Sequence, residues 1–315
     1  MLIVIRELIT RIYKYINMTA VKSIRNLDLS QKREVLTIDE LSSTVDESLI
    51  GGDSKRIRHA DFINDVSEMM DKRNLKWEVA PIHVRAGGPS NMPNITLIND
   101  IASKYAGDTP VEAHLVRNLT GKILINDLTD EISNQAIAFS FSQLGVQAAY
   151  GMNVHECSNL SIWGENIAHS YGRSKKSVAE IFGQIGDWLD LLDKKRAIDL
   201  AHKNKLDAIP AVHDDIMTLV GLMLVEANKK NMKEFKDVEE APLNDTQVSH
   251  FAKNYALKYA KIDKFPVENM WDIYNIGTAL LRPDQVNNYE PIFRQNKVLG
   301  DFIFDKFNIE TVDVN

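Results

Sequence analysis

The hydrophobic pattern changes period near Ser174, and that change limits the architectures open to the chain. Residues 111–117 and 122–126, then 135–142, 146–150 and 152–157, are short apolar or alternating runs of the length that strands use. Beyond Ser174 the apolar positions return every three or four residues, as in Val178, Ile181, Phe182, Ile185, Trp188, Leu189 and Leu192. No strand pattern returns after that point. The expected class is α+β: an N-terminal antiparallel β-meander with helices, followed by an all-helical C-terminal half. A chain of 315 residues exceeds what one hydrophobic core usually serves. The expected division is a leader and polar segment at 1–54, an α/β domain with the meander at 55–174, and a helical subdomain at 175–315.

Within that frame, residues 59–72 carry Phe62, Ile63, Val66, Met69 and Met70 on one helical face. Residues 76–85 alternate as a strand, with Pro81 pushing it toward a sheet edge. Residues 86–94 form a Gly-, Pro- and Asn-rich loop. The segment 118–121, with Gly121, reads as the turn of a hairpin, and Gly151 as a break between two further strands. The helical run from Val178 is expected to end near Arg196. A run at 216–225 follows Pro210, Asn244 caps a helix carrying Phe251 and Tyr255, and two more helices span 270–281 and 292–307.

Residues 1–17 look at first like a signal or an anchor. Arg6, Glu7, Arg11 and Lys14 interrupt the apolar run, which is too short to span a bilayer, and the apolar block precedes rather than follows the positive charge. Two readings stay open: a dispensable tail with Met18 as the natural start, or a short amphipathic helix docking on a partner or lipid surface. The single cysteine, Cys157, rules out an internal disulfide and points to a reducing, cytoplasmic setting.

The formal charge of −7 is unevenly placed: residues 1–120 balance at 16 Lys+Arg against 16 Asp+Glu, and the remainder carries 21 against 28. That field is unfavourable for a protein approaching phosphate backbones unless basic patches act locally. Two such patches exist. Lys55, Arg56 and Arg58 precede one helix. Tyr171, Arg173, Lys175 and Lys176 precede another, where free amide groups and the helix dipole would add to the side-chain charge and Tyr171 could stack a base. The bland alternative for each is a solvated charged loop.

The chemistry-bearing clusters are sparse. His155, Cys157 and, twelve residues on from Cys157, His169 could be imagined around a metal, but structural zinc wants four ligands, and a buried structural thiol is the simpler reading. His213-Asp214-Asp215 lacks the partners of a metal-dependent phosphohydrolase, and acids are favoured at a helix start by the macrodipole alone. The chain contains no GxxxxGK[ST], no GxGxxG and no GxSxG, which argues against nucleotide hydrolysis, Rossmann redox chemistry and esterase chemistry. No catalytic residue, metal ligand or cofactor is assigned.

The segment 151–160, GMNVHECSNL, followed by Trp163-Gly164 and His169, resembles the phage- and plasmid-borne family catalogued as domain of unknown function nine-thirty-two. The later segment 270–279, MWDIYNIGTA, is similar to a Trp-x-x-Tyr-Asn-x-x-Thr helix of that family and of related proteins of Bacteroides-type mobile elements. The resemblance spans roughly residues 55–285 with firm matches in those two stretches, and the loop at 86–94 and the C-terminal tail depart from it. It implies a mobile-element origin and an intracellular role, but no activity. Two functions follow: a protein binding single-stranded nucleic acid through the basic patches, or a phage structural or host-interaction protein binding a protein partner through its acidic helical half. Neither needs a membrane.

Overall fold

The computed structural model describes residues 33–42, 45–46, 57–86, 115–128, 133–142, 145–154, 159–164, 166–171, 174–229, 241–259, 267–283 and 291–312. Its strands are β1 (Arg33–Leu36), β2 (Val45–Asp46), β3 (Trp77–Val79), β4 (Ile82–Ala86), β5 (Leu115–Ile125), β6 (Ser133–Phe141), β7 (Gly145–Val154), β8 (Asn159–Ser161) and β9 (Ile167–Tyr171). The helices are α1 (Ile38–Ser42), α2 (His59–Asp71), α3 (Lys175–Asp190), α4 (Leu192–Asp207), α5 (His213–Lys229), α6 (Asp245–Tyr259), α7 (Met270–Ala279) and α8 (Ile292–Lys306). The architecture is α+β, with an antiparallel sheet in the first half and helices mostly in the second.

The strands form one nine-stranded sheet in the order β1-β4-β5-β6-β7-β8; β2 and β3 also pair with β5, and β9 pairs with β7. Every pairing is antiparallel except that of β2 with β5. Side-chain alternation gives the sheet two unlike faces. One face carries Leu119, Ile123, Ile137, Phe139, Phe141, Val146, Ala148 and Tyr150 and is covered by α2 and α3. Phe62 of α2 stacks on Phe182 of α3 at 5.1 Å and meets Phe141 edge-on at 5.3 Å, which locks the two helices to the strands. On the opposite face, Ala136, Ala138 and Ala149 let Leu160, Ile162, Ile292 and Phe293 pack close.

A second core joins the end of β7, through Met152 and Val154, to Trp163 and the helices from α4 onward. Trp163 stacks on Tyr274 of α7 at 4.7 Å and tilts against His202 and Phe304. The helices are well terminated. Asn244 and Gln247 exchange hydrogen bonds of 3.0 Å at the start of α6, and Asn269 forms the same reciprocal box with Asp272 at α7. Asn74 and Asn308, with φ of 55° and 50°, close α2 and α8 in the left-handed conformation.

Four expectations need correction. The segment 118–121 is no turn: β5 runs straight through it, paired on one side with β4 and on the other with β6. Gly121 is there because a Cβ would stand 2.6 Å from the Phe139 ring. Gly151 likewise lies inside the continuous strand β7, where a Cβ would stand 2.3 Å from the carbonyl oxygen of Ser161. Both glycines mark close approach rather than chain reversal. The strand expected at 76–85 divides at Ala80-Pro81 into β3 and β4, since proline offers no N–H to the ladder. The helix expected to end near Arg196 divides at Leu191, where φ is −105° and ψ 19°, into α3 and α4. The leader at 1–17 and the loop beyond Ala86 lie outside the described residues. No described helix is long and apolar enough to cross a membrane.

Gly151→Ala is expected to cost about 1–3 kcal/mol, because the backbone of Ser161 cannot yield as a side chain would. Gly183→Ala on the exposed side of α3, where a Cβ meets nothing within 4 Å, should instead gain up to ~1 kcal/mol. Thermal melts of the two variants beside the parent check both signs.

Candidate functional site

The register of the central strands sets His83, Thr120, Ser140, Gln147 and His169 in one row across β4, β5, β6, β7 and β9. This row is on the sheet face opposite α2 and α3. Its middle members are buried; Thr120 donates its hydroxyl to the Phe139 carbonyl at 2.9 Å. Its outer end opens to solvent. β9 pairs only with β7, so among the described residues its far side is an edge of the sheet. There His169 and Tyr171 stand exposed with ring centroids 4.3 Å apart, edge to face, and Tyr171 is 85% accessible.

Immediately after this edge the chain enters α3. Ser174 caps the helix, its hydroxyl oxygen accepting from the Ser177 amide at 3.1 Å. The helix therefore begins at Lys175, three residues before Val178, where its apolar pattern starts. Lys175 and Lys176 occupy its first turn, exposed, and neither makes a hydrogen bond or ion pair among the described residues. Two cations at the positive end of a helix are mutually unfavourable unless an anion joins them.

The structure divides the remaining basic candidates. Arg58 precedes α2, and its guanidinium grips the Asp61 carboxylate through both oxygens, Nε at 2.7 Å from Oδ2. Its charge is thereby largely neutralised. Lys55, Arg56 and Arg173 lie outside the described residues, as do His155 and Cys157. Beside Lys175 runs an acidic ridge on α2: burial, then the charges of Asp61 and Glu68, push the Asp65 carboxyl up, with Lys175 opposing them. Of the basic candidates, Lys175 and Lys176 are thus the described ones without an ion pair, and His169 and Tyr171 precede them in the chain at the end of β9.

A second cluster, which sequence reasoning missed, lies where β7 meets α4. Asp199 is fully buried, and neither carboxylate oxygen has a hydrogen-bond partner among the described residues. Burial pushes its carboxyl well above the ordinary carboxylate range, with Lys195 opposing. Lys195, one helical turn earlier, donates to Asn166 and lies 5.5 Å from the Tyr150 ring centroid; burial lowers its ammonium, with Asp199 opposing. The Tyr150 phenol is raised by burial first and by Asp199 second. On the same helix face His202 accepts from the Val312 amide at 2.8 Å, and Lys203 pairs with Asp207. The only sequence signal is the spacing of Lys195, Asp199, His202, Lys203 and Leu206, a helical stripe that is polar rather than apolar. Chemically, burial favours the protonated form of this acid.

His213 begins α5, its Nδ1 3.0 Å from the Tyr255 hydroxyl and its ring stacked on Tyr259 at 4.4 Å. Asp214 and Asp215 follow in the first turn, where the helix dipole favours acids.

Because the folded pKa of Asp199 exceeds its unfolded value, the fold binds this proton more tightly than the unfolded chain does. The stabilisation is complete below about pH 4 and is lost as pH rises through the folded value, at up to about 1.4 kcal/mol per pH unit. Asp199→Asn should flatten that slope and stand above the parent at neutral pH. Denaturant midpoints between about pH 4 and pH 8 check this; parallel slopes for parent and variant would contradict it.

No protein-family model, no curated protein and no solved structure matches this chain.

Proposed function

We propose that the protein binds single-stranded nucleic acid along the edge formed by β9 and the start of α3, in the cytoplasmic DNA metabolism of a mobile element. The observation that carries this reading is the 85% accessible Tyr171 ring on an open sheet edge, one turn before two unpaired lysines at a helix N-terminus. An exposed aromatic offers a base a stacking surface, and the lysines and free helix amides offer the adjoining phosphate a positive seat. The chain's net charge of −7 makes the interaction local rather than steered by a long-range field. The mobile-element setting rests on the resemblance of residues 151–160 and 270–279.

A protein partner bound through the acidic helical half is the second reading. It is favoured by the large apolar side chains exposed on α5, including Met217, Leu224 and Val225.

Fluorescence anisotropy of short labelled single strands at several salt concentrations separates the two. Tyr171→Ala should weaken binding by about 1–3 kcal/mol, with little preference among sequences. Lys175→Gln with Lys176→Gln should flatten the slope of log affinity against log salt by about 1.4, at roughly 0.7 for each phosphate no longer neutralised. Absence of binding by the parent protein at low salt would overturn the nucleic-acid reading and leave the protein partner in front.

A further inference from the structure

The segment that follows α8 turns back onto α4. Asn308, at φ 50°, makes the turn; the Ile309 amide donates to the Phe304 carbonyl at 2.8 Å, and Ile309 packs against the second core. Two bonds then tie the backbone to α4. The Lys205 ammonium donates to the Glu310 carbonyl at 2.5 Å, and the Val312 amide donates to Nε2 of His202 at 2.8 Å. Lys205 and His202 are three residues apart and share a face of the helix, so the segment runs against the direction of α4.

The second bond carries a chemical condition. An imidazole nitrogen that accepts an amide proton has none of its own, so His202 is neutral, with its proton on Nδ1. The ring is 3% accessible, 5.2 Å from Trp163 and edge-on to Phe304 at 5.3 Å. A proton at Nε2 would turn the acceptor into a donor facing the Val312 N–H, and would set a charge among aromatic rings. The charged and titratable groups around it do little to hold that proton. On α4, burial pushes the Asp199 carboxyl toward its neutral form, Lys203 is paired with Asp207, and Lys205 is itself a cation. On α8, Asp301 is paired with Lys297 and Asp305 is exposed. Across Trp163, burial keeps the Tyr274 phenol of α7 protonated. The segment itself brings Glu310, whose side chain is exposed.

We propose that residues 309–312 form a pH-operated clasp on α4, shut while His202 is neutral and released when it takes a proton. An imidazole in water titrates near about 6.5, and here only the released form admits the proton. The ratio of closed to open forms therefore falls about tenfold for each pH unit below that value, and is constant well above it. Asp199 acts with the opposite sign, since its buried carboxyl weakens the fold as pH rises. The clasp is independent of the β9 edge and of its nucleic-acid reading.

Hydrogen exchange of the Val312 amide in the intact chain, corrected for the intrinsic pH dependence of exchange, reads the closed-to-open ratio as a protection factor. Protection in the parent should fall about tenfold from about pH 7.5 to about pH 5.5. His202→Gln, whose amide oxygen stays an acceptor at both pH values, should lose that step. Asp199→Asn should keep it, and Lys205→Gln should lower protection at both pH values while keeping the step. A second measurement needs no variant: the nitrogen-15 shifts of the His202 ring should show Nε2 free of a proton at about pH 7.5. Equal protection at the two pH values in the parent, protection that rises toward the acid side, or a proton on Nε2 at about pH 7.5 would each overturn the proposal. So would a His202→Gln chain that retains the step.

Discussion

Strand β7 is buried along its whole length, and the rest of the molecule depends on that. Its ten residues contribute to three apolar clusters: Val146, Ala148 and Tyr150 to the core under α2 and α3, Ala149 to the small-residue face under Phe293, and Met152 and Val154 to the helical core. It is hydrogen-bonded on both sides, to β6 along its length and to β9 and then β8 on the other. Burying a side chain such as Met152 or Val146 is worth about 1.5–3 kcal/mol, but the larger effect is that both halves draw that gain from one strand. Neither half can lose it without exposing the other.

This arrangement gives the candidate nucleic-acid edge its rigidity. β9 is held by five residue pairs to β7, so Tyr171 and His169 project from a fixed ladder, and α3 starts just behind the capping Ser174, close to the strand's end. The charge distribution works at the same short range. Arg58 is tied to Asp61, and the charge of Lys175 opposes the rise of the Asp65 carboxyl, while Lys175 and Lys176 make no hydrogen bond or ion pair among the described residues. The Asp199 cluster lies where Tyr150 of β7 meets α4, and its character is different. It sets a desolvated acid of α4 near Lys195 and the Tyr150 phenol of β7.

The change of period at Ser174 is enough to place sheet and helices, because a buried strand and an amphipathic helix leave different spacings. Its limits have physical causes. Gly121 and Gly151 look like turns because sequence shows only the missing side chain, not the Phe139 ring or Ser161 carbonyl that excludes one. Residues 192–207 give no helical signal of their own because α4 buries Asp199, His202 and Lys203 where periodicity expects apolar residues. Of the candidate site, Tyr171, Lys175 and Lys176 are legible from composition alone. That Arg58 is neutralised, and that His169 joins Tyr171 on an open edge, requires the register and the pairing of distant segments.

Hydrogen exchange of the native protein, resolved by peptide, tests most directly whether β7 binds the two halves into one cooperative unit. Amides of β6 and β7 should exchange only through global opening, and those of α7, which shares a core with Met152 and Val154, should open with the same free energy. Exchange of α7 through a separate opening, orders of magnitude faster than β7, would show that the helical half unfolds by itself and would contradict the shared-strand account.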